Sequence, residues 1–181
     1  MVIAERKAQI GMVFFLAAEA MFFAGLISAY WVLRAQVSPW PPPAQPRLPV
    51  LVTGINTLIL IGSGTAFWQT RQAVDRGCRF CIVGWLGLAG LGGAVFLGVQ
   101  GYEWIRLIGF GLTTVRNIYG GLFYIVIGTH AVHVLAGLVF LLVVFLQAVQ
   151  PGGRTGPLAA CRMYWTFVVG VWPVLYALVY F

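Results

Sequence analysis

The sequence predicts an all-α fold, a polytopic membrane helix bundle, and three observations predict it. Of the 181 residues 61% are hydrophobic and only 8% charged, too few charges to keep a chain of this size dissolved. The apolar residues form long unbroken runs, whereas a membrane barrel needs alternating strands of about ten residues. Five of those runs hold at least about 18 residues, the usual minimum for a helix to cross a bilayer. Hydrocarbon offers the backbone no hydrogen-bond partner, so runs of this kind form helices, which pair their own N–H and C=O groups.

The five transmembrane helices are expected over approximately 10–33, 48–70, 80–102, 118–149 and 164–181. After the first comes Ser38-Pro39-Trp40-Pro41-Pro42-Pro43, which reads as a stiff extended connector that helix cannot enter. Asp75-Arg76-Gly77 separates the second helix from the third, 109–117 the third from the fourth, and Pro151-Gly152-Gly153 the fourth from the fifth. The fourth run is roughly 30 residues long, enough to tilt strongly or to protrude. No internal repeat, low-complexity tract or soluble domain interrupts the series, so 1–181 reads as a single membrane domain.

A net charge of +7 would suit nucleic acid, but the basic residues are scattered among loops and no nucleic-acid partner is expected. Their distribution reads as orientation. Arg6, Lys7, Arg71, Arg76, Arg79, Arg154 and Arg162 fall on one side, and Arg34, Arg47, Arg106 and Arg116 on the other. The positive-inside rule then places the N-terminus in the cytoplasm and the C-terminus outside. The first apolar run is too long for a cleavable signal and lacks a convincing cleavage site. Cys78-Arg79-Phe80-Cys81 has redox-motif spacing, yet residue 82 is Ile, so the haem-attachment motif is excluded. A metal site would need a second such pair; the two cysteines read as small packing residues in a reducing compartment.

Polar groups at membrane depth are where function is usually written, since a charge there costs about 2.5–3.5 kcal/mol or more. Glu19 lies mid-run in Phe14-Phe15-Leu16-Ala17-Ala18-Glu19-Ala20-Met21-Phe22-Phe23. It reads as a buried protonatable group near a proton path, as an anchor for a partner helix, or as a protonated carboxyl bonded across a helix interface. Gln100 and Glu103 share a helix face, and Glu103 precedes Arg106 by three residues, a spacing that suits a local, partly hydrated ion pair. Tyr119, Phe123, Val126, His130, His133 and Gly137 form one stripe of the fourth helix. His130 and His133 are the only histidines, and residues three apart on one helix reach only one side of a haem. Zinc lacks a third ligand. Hydrogen bonding between helices or to lipid headgroups is the expected role, with Gly120, Gly121, Gly128 and Gly137 allowing close approach. No phosphate loop, nucleophile elbow or intrahelical carboxylate pair is present, so no catalytic residue is assigned.

These segments resemble a known family. Gly11-Met12-Val13-Phe14-Phe15-Leu16-Ala17-Ala18-Glu19-Ala20-Met21-Phe22-Phe23 is similar to the haem–copper oxidase subunit III helix that carries a buried glutamate. The run 48–60 resembles that subunit's next helix, and Gln100-Gly101-Tyr102-Glu103-Trp104 its Gln…Glu-aromatic pattern. Tyr119-Gly120…Gly128-Thr129-His130-Ala131-Val132-His133-Val134 is similar to its Tyr-Gly…Gly-x-His-x-x-His-Val signature, and Tyr164-Trp165-Thr166-Phe167-Val168 to its terminal helix. The matches run in order, and the charge-derived orientation agrees with the family's. The resemblance is to the five-helix bacterial form, without the first two helices of the seven-helix form.

The resemblance implies a non-catalytic subunit of a cytochrome c or quinol oxidase in the bacterial inner (plasma) membrane. It implies no cofactor in this chain, haem and copper in partner subunits, and packing against subunit I, which reduces dioxygen and pumps protons. Bound phospholipid, support of proton uptake and durability in turnover are implied as well. On this reading Glu19 matches the buried glutamate, Glu103, His130 and His133 match motif polar groups, and Gln100, Arg106, Tyr119 and Trp165 are helix-interface or lipid-contact residues. Thr166 and Val169 replace the His and Asp of many relatives, which puts a proton-related role for the last helix in doubt. The alternatives are a subunit III homologue associated with nitric oxide reductase, and a small proton or solute transporter using Glu19. Transport would need a membrane-embedded partner for Glu19 and broken midplane helices, neither of which the sequence displays.

Overall fold

The computed structural model describes residues 2–42, 48–113, 118–150 and 156–181, with side chains from residue 6 onward. It contains α1 (Val2–Ala35), α2 (Val50–Asp75), α3 (Arg79–Gly109), α4 (Ile118–Val149) and α5 (Leu158–Tyr180), with no strand among the described residues. All five helices are long and apolar enough to cross a membrane; this is a multi-pass membrane protein. The 32 residues of α4 span about 48 Å at 1.5 Å per residue, more than the roughly 30 Å of hydrocarbon.

Helices stop where backbone chemistry stops them, not where hydropathy falls. Past α2, Gly77 has φ +63°, and the amides of Gly77 and Cys78 bond back to Val74 and Ala73 carbonyls at 2.9 and 3.0 Å. Past α3, Gly111 has φ +88°, with matching bonds from Gly111 to Ile108 and from Leu112 to Leu107. Both are left-handed C-terminal caps, which glycine enters without a Cβ penalty. The helix α5 begins at Leu158, directly after Pro157, a residue suited to helix starts. The apolar run hides that start because Arg162 interrupts it.

Helices α2, α3, α4 and α5 form a closed ring in which each packs on its two chain or spatial neighbours, α2 and α5 completing the circuit. The closest approach is α2 on α3. A Cβ added to Gly92 would lie 2.9 Å from Ser63 Cβ, so only glycine permits this backbone separation. Leu60, Leu86, Phe96, Ile127, Trp172 and Leu175 fill the ring interior. Helix α1 lies outside the ring, against α4 and α5 only. Phe14 and Met21 on α1 are 73% and 76% exposed, so lipid or another chain must cover that face.

Two expectations change. The segment after α1 bends through 36–41 instead of running extended. Its Trp40 ring packs edge-on to Tyr30 and Tyr119, with centroids 6.0 and 5.0 Å away, so aromatic burial folds the connector back onto the ends of α1 and α4. Cys78 and Cys81 are joined by a disulfide and are not free packing thiols; Cys161 is the buried free cysteine. Of the residues used to read orientation, Arg47, Arg116 and Arg154 lie outside the described residues, as do Pro43 and the Pro151-Gly152-Gly153 break.

Candidate functional site

Glu19 and His133 each sit at the midpoint of their helix, α1 and α4, and so at mid-membrane depth if both helices are centred. There they meet: Glu19 Oε2 is 2.9 Å from His133 Nε2. The other ring nitrogen, Nδ1, lies 2.7 Å from the Thr129 carbonyl oxygen. A carbonyl only accepts, so Nδ1 carries a hydrogen and donates it, which settles the tautomer. One further proton then lies between Glu19 and Nε2. It resides on the carboxyl, giving a neutral pair, or on the ring, giving carboxylate and imidazolium. In both forms the pair as a whole is neutral, which is how a titratable couple is tolerated in low dielectric.

The surroundings hold this geometry. The Tyr164 hydroxyl donates to the His133 carbonyl at 3.1 Å, and Phe23 packs edge-on to the His133 ring at 5.1 Å. The side chains of His133 and Glu19 are 15% and 19% exposed, so the pair opens on the outer surface between α1 and α4. The contact agrees with the reading of Glu19 as a carboxyl bonded across a helix interface, and names the partner that the sequence did not display. The sequence hid the contact because the two residues are 114 positions apart.

His130, one turn away, behaves differently. It is buried, and neither ring nitrogen has a hydrogen-bond partner among the described residues. Its ring lies 4.9 Å from Trp172, tilted by 30°, with Phe96 and Phe23 edge-on at 6.2 and 6.4 Å. The expected hydrogen bond from His130 to another helix is not made; aromatic packing takes its place. Residues three apart on a helix differ by about 60° in direction, which turns His130 into the ring and His133 towards α1. With one histidine walled in by rings and the other bonded at both nitrogens, neither is free to ligate a haem.

The remaining sequence-predicted residues lie elsewhere. Gln100 donates to the Tyr180 hydroxyl at 3.3 Å, and Glu103 meets Arg106 at 3.3 Å, towards the C-terminal end of α3. Tyr119 packs on Trp40. Trp165 Nε1 donates to Ser63 Oγ at 3.1 Å, and Ser63 in turn donates to the Ala89 carbonyl at 2.6 Å. Sequence reasoning named Trp165 but missed the rest of this interior polar layer. It also includes Trp172 Nε1 to Thr57 at 2.8 Å and Asn56 Nδ2 to the Phe96 carbonyl at 3.0 Å. Asn56, within an apolar run, was the available signal. Among the described residues no group of three or more His, Cys, Asp or Glu is placed to hold a metal ion.

The two segments that meet at the Glu19–His133 contact are among the five that carried the resemblance, and comparison with known proteins decides it. The profile described as cytochrome c oxidase subunit III matches residues 2–181. The chain belongs to the cytochrome c oxidase subunit III family. It is 38% identical over 174 residues to a cytochrome c oxidase subunit 3 of Synechocystis sp., covering 94% of this chain and 73% of that one. It is 35% identical to the same-named protein of Thermostichus vulcanus, covering 94% and 85%. A probable cytochrome c oxidase subunit 3 of Nocardia farcinica is 36% identical, at 95% and 86% coverage. The chain is therefore a subunit III of a terminal oxidase, and as such works in a complex with other oxidase subunits. The comparisons favour neither the nitric oxide reductase-associated reading nor the transporter.

Proposed function

We propose that this chain packs on subunit I of a haem–copper oxidase in the bacterial inner membrane, N-terminus in the cytoplasm, and serves that subunit without a cofactor of its own. Haem and copper reside in the partner subunits, where dioxygen is reduced. The observation that carries the reading is the Glu19–His133 contact at 2.9 Å, made by two family-matching segments and open on the outer surface between α1 and α4. A polar couple facing hydrocarbon at mid-depth is poorly solvated; a helix of subunit I laid over α1 and α4 would enclose it. The bare face of α1 supplies the rest of that contact, and phospholipid fills what the partner leaves open. Because its shared proton has two sites, the pair is suited to hold a proton beside the proton uptake path of subunit I.

A mild-detergent pull-down from native membranes, with partner identification and a reduced-minus-oxidised spectrum, tests this. Recovery of a haem-bearing subunit I with the chain is the expected result. Recovery of the chain alone and colourless would refute the assignment to subunit I. Cross-linkers placed at Met21 on α1 and at Phe80 on α3, both exposed, separate docking through α1 from docking elsewhere.

A further inference from the structure

One motif is left unused by the oxidase reading. Cys78-Arg79-Phe80-Cys81 lies at the turn between α2 and α3, and its cysteines are disulfide-bonded with Cα atoms 5.3 Å apart. Cys78 is the N-cap of α3, and its Sγ accepts a hydrogen bond from the Cys81 amide at 3.3 Å. That amide points where a thiolate on Cys78 would need solvation. Both cysteines are partly exposed, and the charged turn just before them, Asp75-Arg76-Gly77, is exposed, so reagents in water reach the pair. No third His, Cys, Asp or Glu joins them as a metal-ligand group among the described residues.

The second observation is mechanical. Arg79, inside the motif, donates from Nε to the Ala148 carbonyl at 2.9 Å, and its guanidinium also bonds the Gln150 carbonyl. These are carbonyls at the C-terminal end of α4, which helical bonding leaves unpartnered. The disulfide therefore closes a short loop around the residue that caps another helix. Accessible cysteines at a helix N-terminus beside arginine are those that exchange readily, whereas structural cysteines are buried and inert, as Cys161 is here.

We propose that Cys78 and Cys81 form a reversible thiol–disulfide switch that sets how firmly Arg79 holds the end of α4. The reductant is a small dithiol or a dithiol protein. One of its thiolates attacks one sulfur of the pair, expelling the other as a thiolate. Its second thiol then resolves the mixed disulfide. The protein S–S bond breaks, an S–S bond forms in the reductant, and two electrons with two protons pass to Cys78 and Cys81. Reduction removes the loop constraint, and Arg79 exchanges its carbonyls for water more often.

The test uses native membranes containing the whole complex. They are equilibrated with mixtures of reduced and oxidised dithiothreitol, then trapped with a maleimide polymer that adds mass at each free thiol. With Cys161→Ser in place to remove the free thiol, the expected outcome is a change from no adduct to two in one step. The reduced fraction should rise from a tenth to nine-tenths over about a hundredfold change in the dithiol-to-disulfide ratio. Two adducts at every ratio, or none at any, would overturn the switch.

Hydrogen exchange then reads the coupling. Reduction should speed exchange at residues 144–150 several-fold in the wild type, and Cys78→Ser/Cys81→Ser should match the reduced form without added reductant. Arg79→Gln should keep the two-thiol step yet lose the redox dependence at 144–150. Equal exchange in reduced and oxidised wild type would overturn the link to α4. A membrane-impermeant maleimide applied to each side in turn separates an error in orientation from failure of the switch.

Discussion

The tightest packing in the molecule gives the sharpest test. The Trp165 ring is bounded on three sides. A Cβ on Gly137 would lie 2.8 Å from Trp165 Cε3 and Cζ3, and one on Gly93 would lie 2.6 Å from Cη2. The indole N–H is tied to Ser63. Carbon atoms prefer separations of about 3.5–4.0 Å, so Gly137→Ala forces the ring back by about 0.7 Å with no free direction to take. Overpacking of this kind costs about 1–3 kcal/mol, and straining the Ser63 bond adds about 0.5–1.5 kcal/mol. Alanine returns up to about 1 kcal/mol in helix propensity, leaving a net loss of about 1–3 kcal/mol. Nothing lies within 4 Å of a Cβ built at Gly98 or Gly170, so alanine there should be neutral or stabilising. The two kinds of site should thus differ by about fivefold or more in folding equilibrium. Denaturant titration of the detergent-solubilised chain, followed by helical circular dichroism, reads the difference. If Gly137→Ala and Gly170→Ala shift the midpoint alike, the wedge argument is wrong. In a Trp165→Leu background the penalty at Gly137 should largely vanish.

Substitutions at three further positions probe the polar groups at membrane depth. His130→Phe exchanges an unpartnered buried imidazole for an apolar ring among rings and should stabilise by about 1–3 kcal/mol; a loss of stability in the same titration would reveal a partner for His130. Glu19→Gln keeps a donor facing His133 Nε2 and should cost little. Glu19→Leu strands that nitrogen at about 1–3 kcal/mol, visible as easier proteolysis or cross-linker release of α1; equal behaviour of the two would rule out the pair as its anchor. Asn56→Leu removes the bond from α2 to the Phe96 carbonyl and should cost about 0.6–2 kcal/mol, again by titration, with an unchanged midpoint counting against the bond.

The spans were legible because a helix must cross about 30 Å of hydrocarbon, which writes itself as apolar length. Their ends were not: positive φ at Gly77 and Gly111 and a start beside Pro157 are local backbone events that hydropathy averages away. Glu19, Gln100, Glu103 and the two histidines stood out as polar groups in apolar runs. What each one meets depends on which helices are neighbours, and that arrangement is set by side-chain shape, as at Gly92 against Ser63. Hence the ion pair of Glu103 with Arg106, three residues apart, was readable and the pair of Glu19 with His133 was not. His130 and His133 share a stripe on paper, but a 60° turn separates an aromatic cage from a proton-sharing contact.

The closed ring has a consequence for the order in which the chain assembles. Adjacent in sequence, α2 and α3 can form a hairpin at once, with Asn56 and Ser63 bonded to α3 carbonyls. Trp165 and Trp172 arrive only with α5, on Ser63 and Thr57 hydroxyls that already have backbone acceptors. Until then α2 has no α5 beside it, and α1, which touches only α4 and α5, has half a seat. Of these five helices, the one made last is the keystone, and the one made first is the last to be docked.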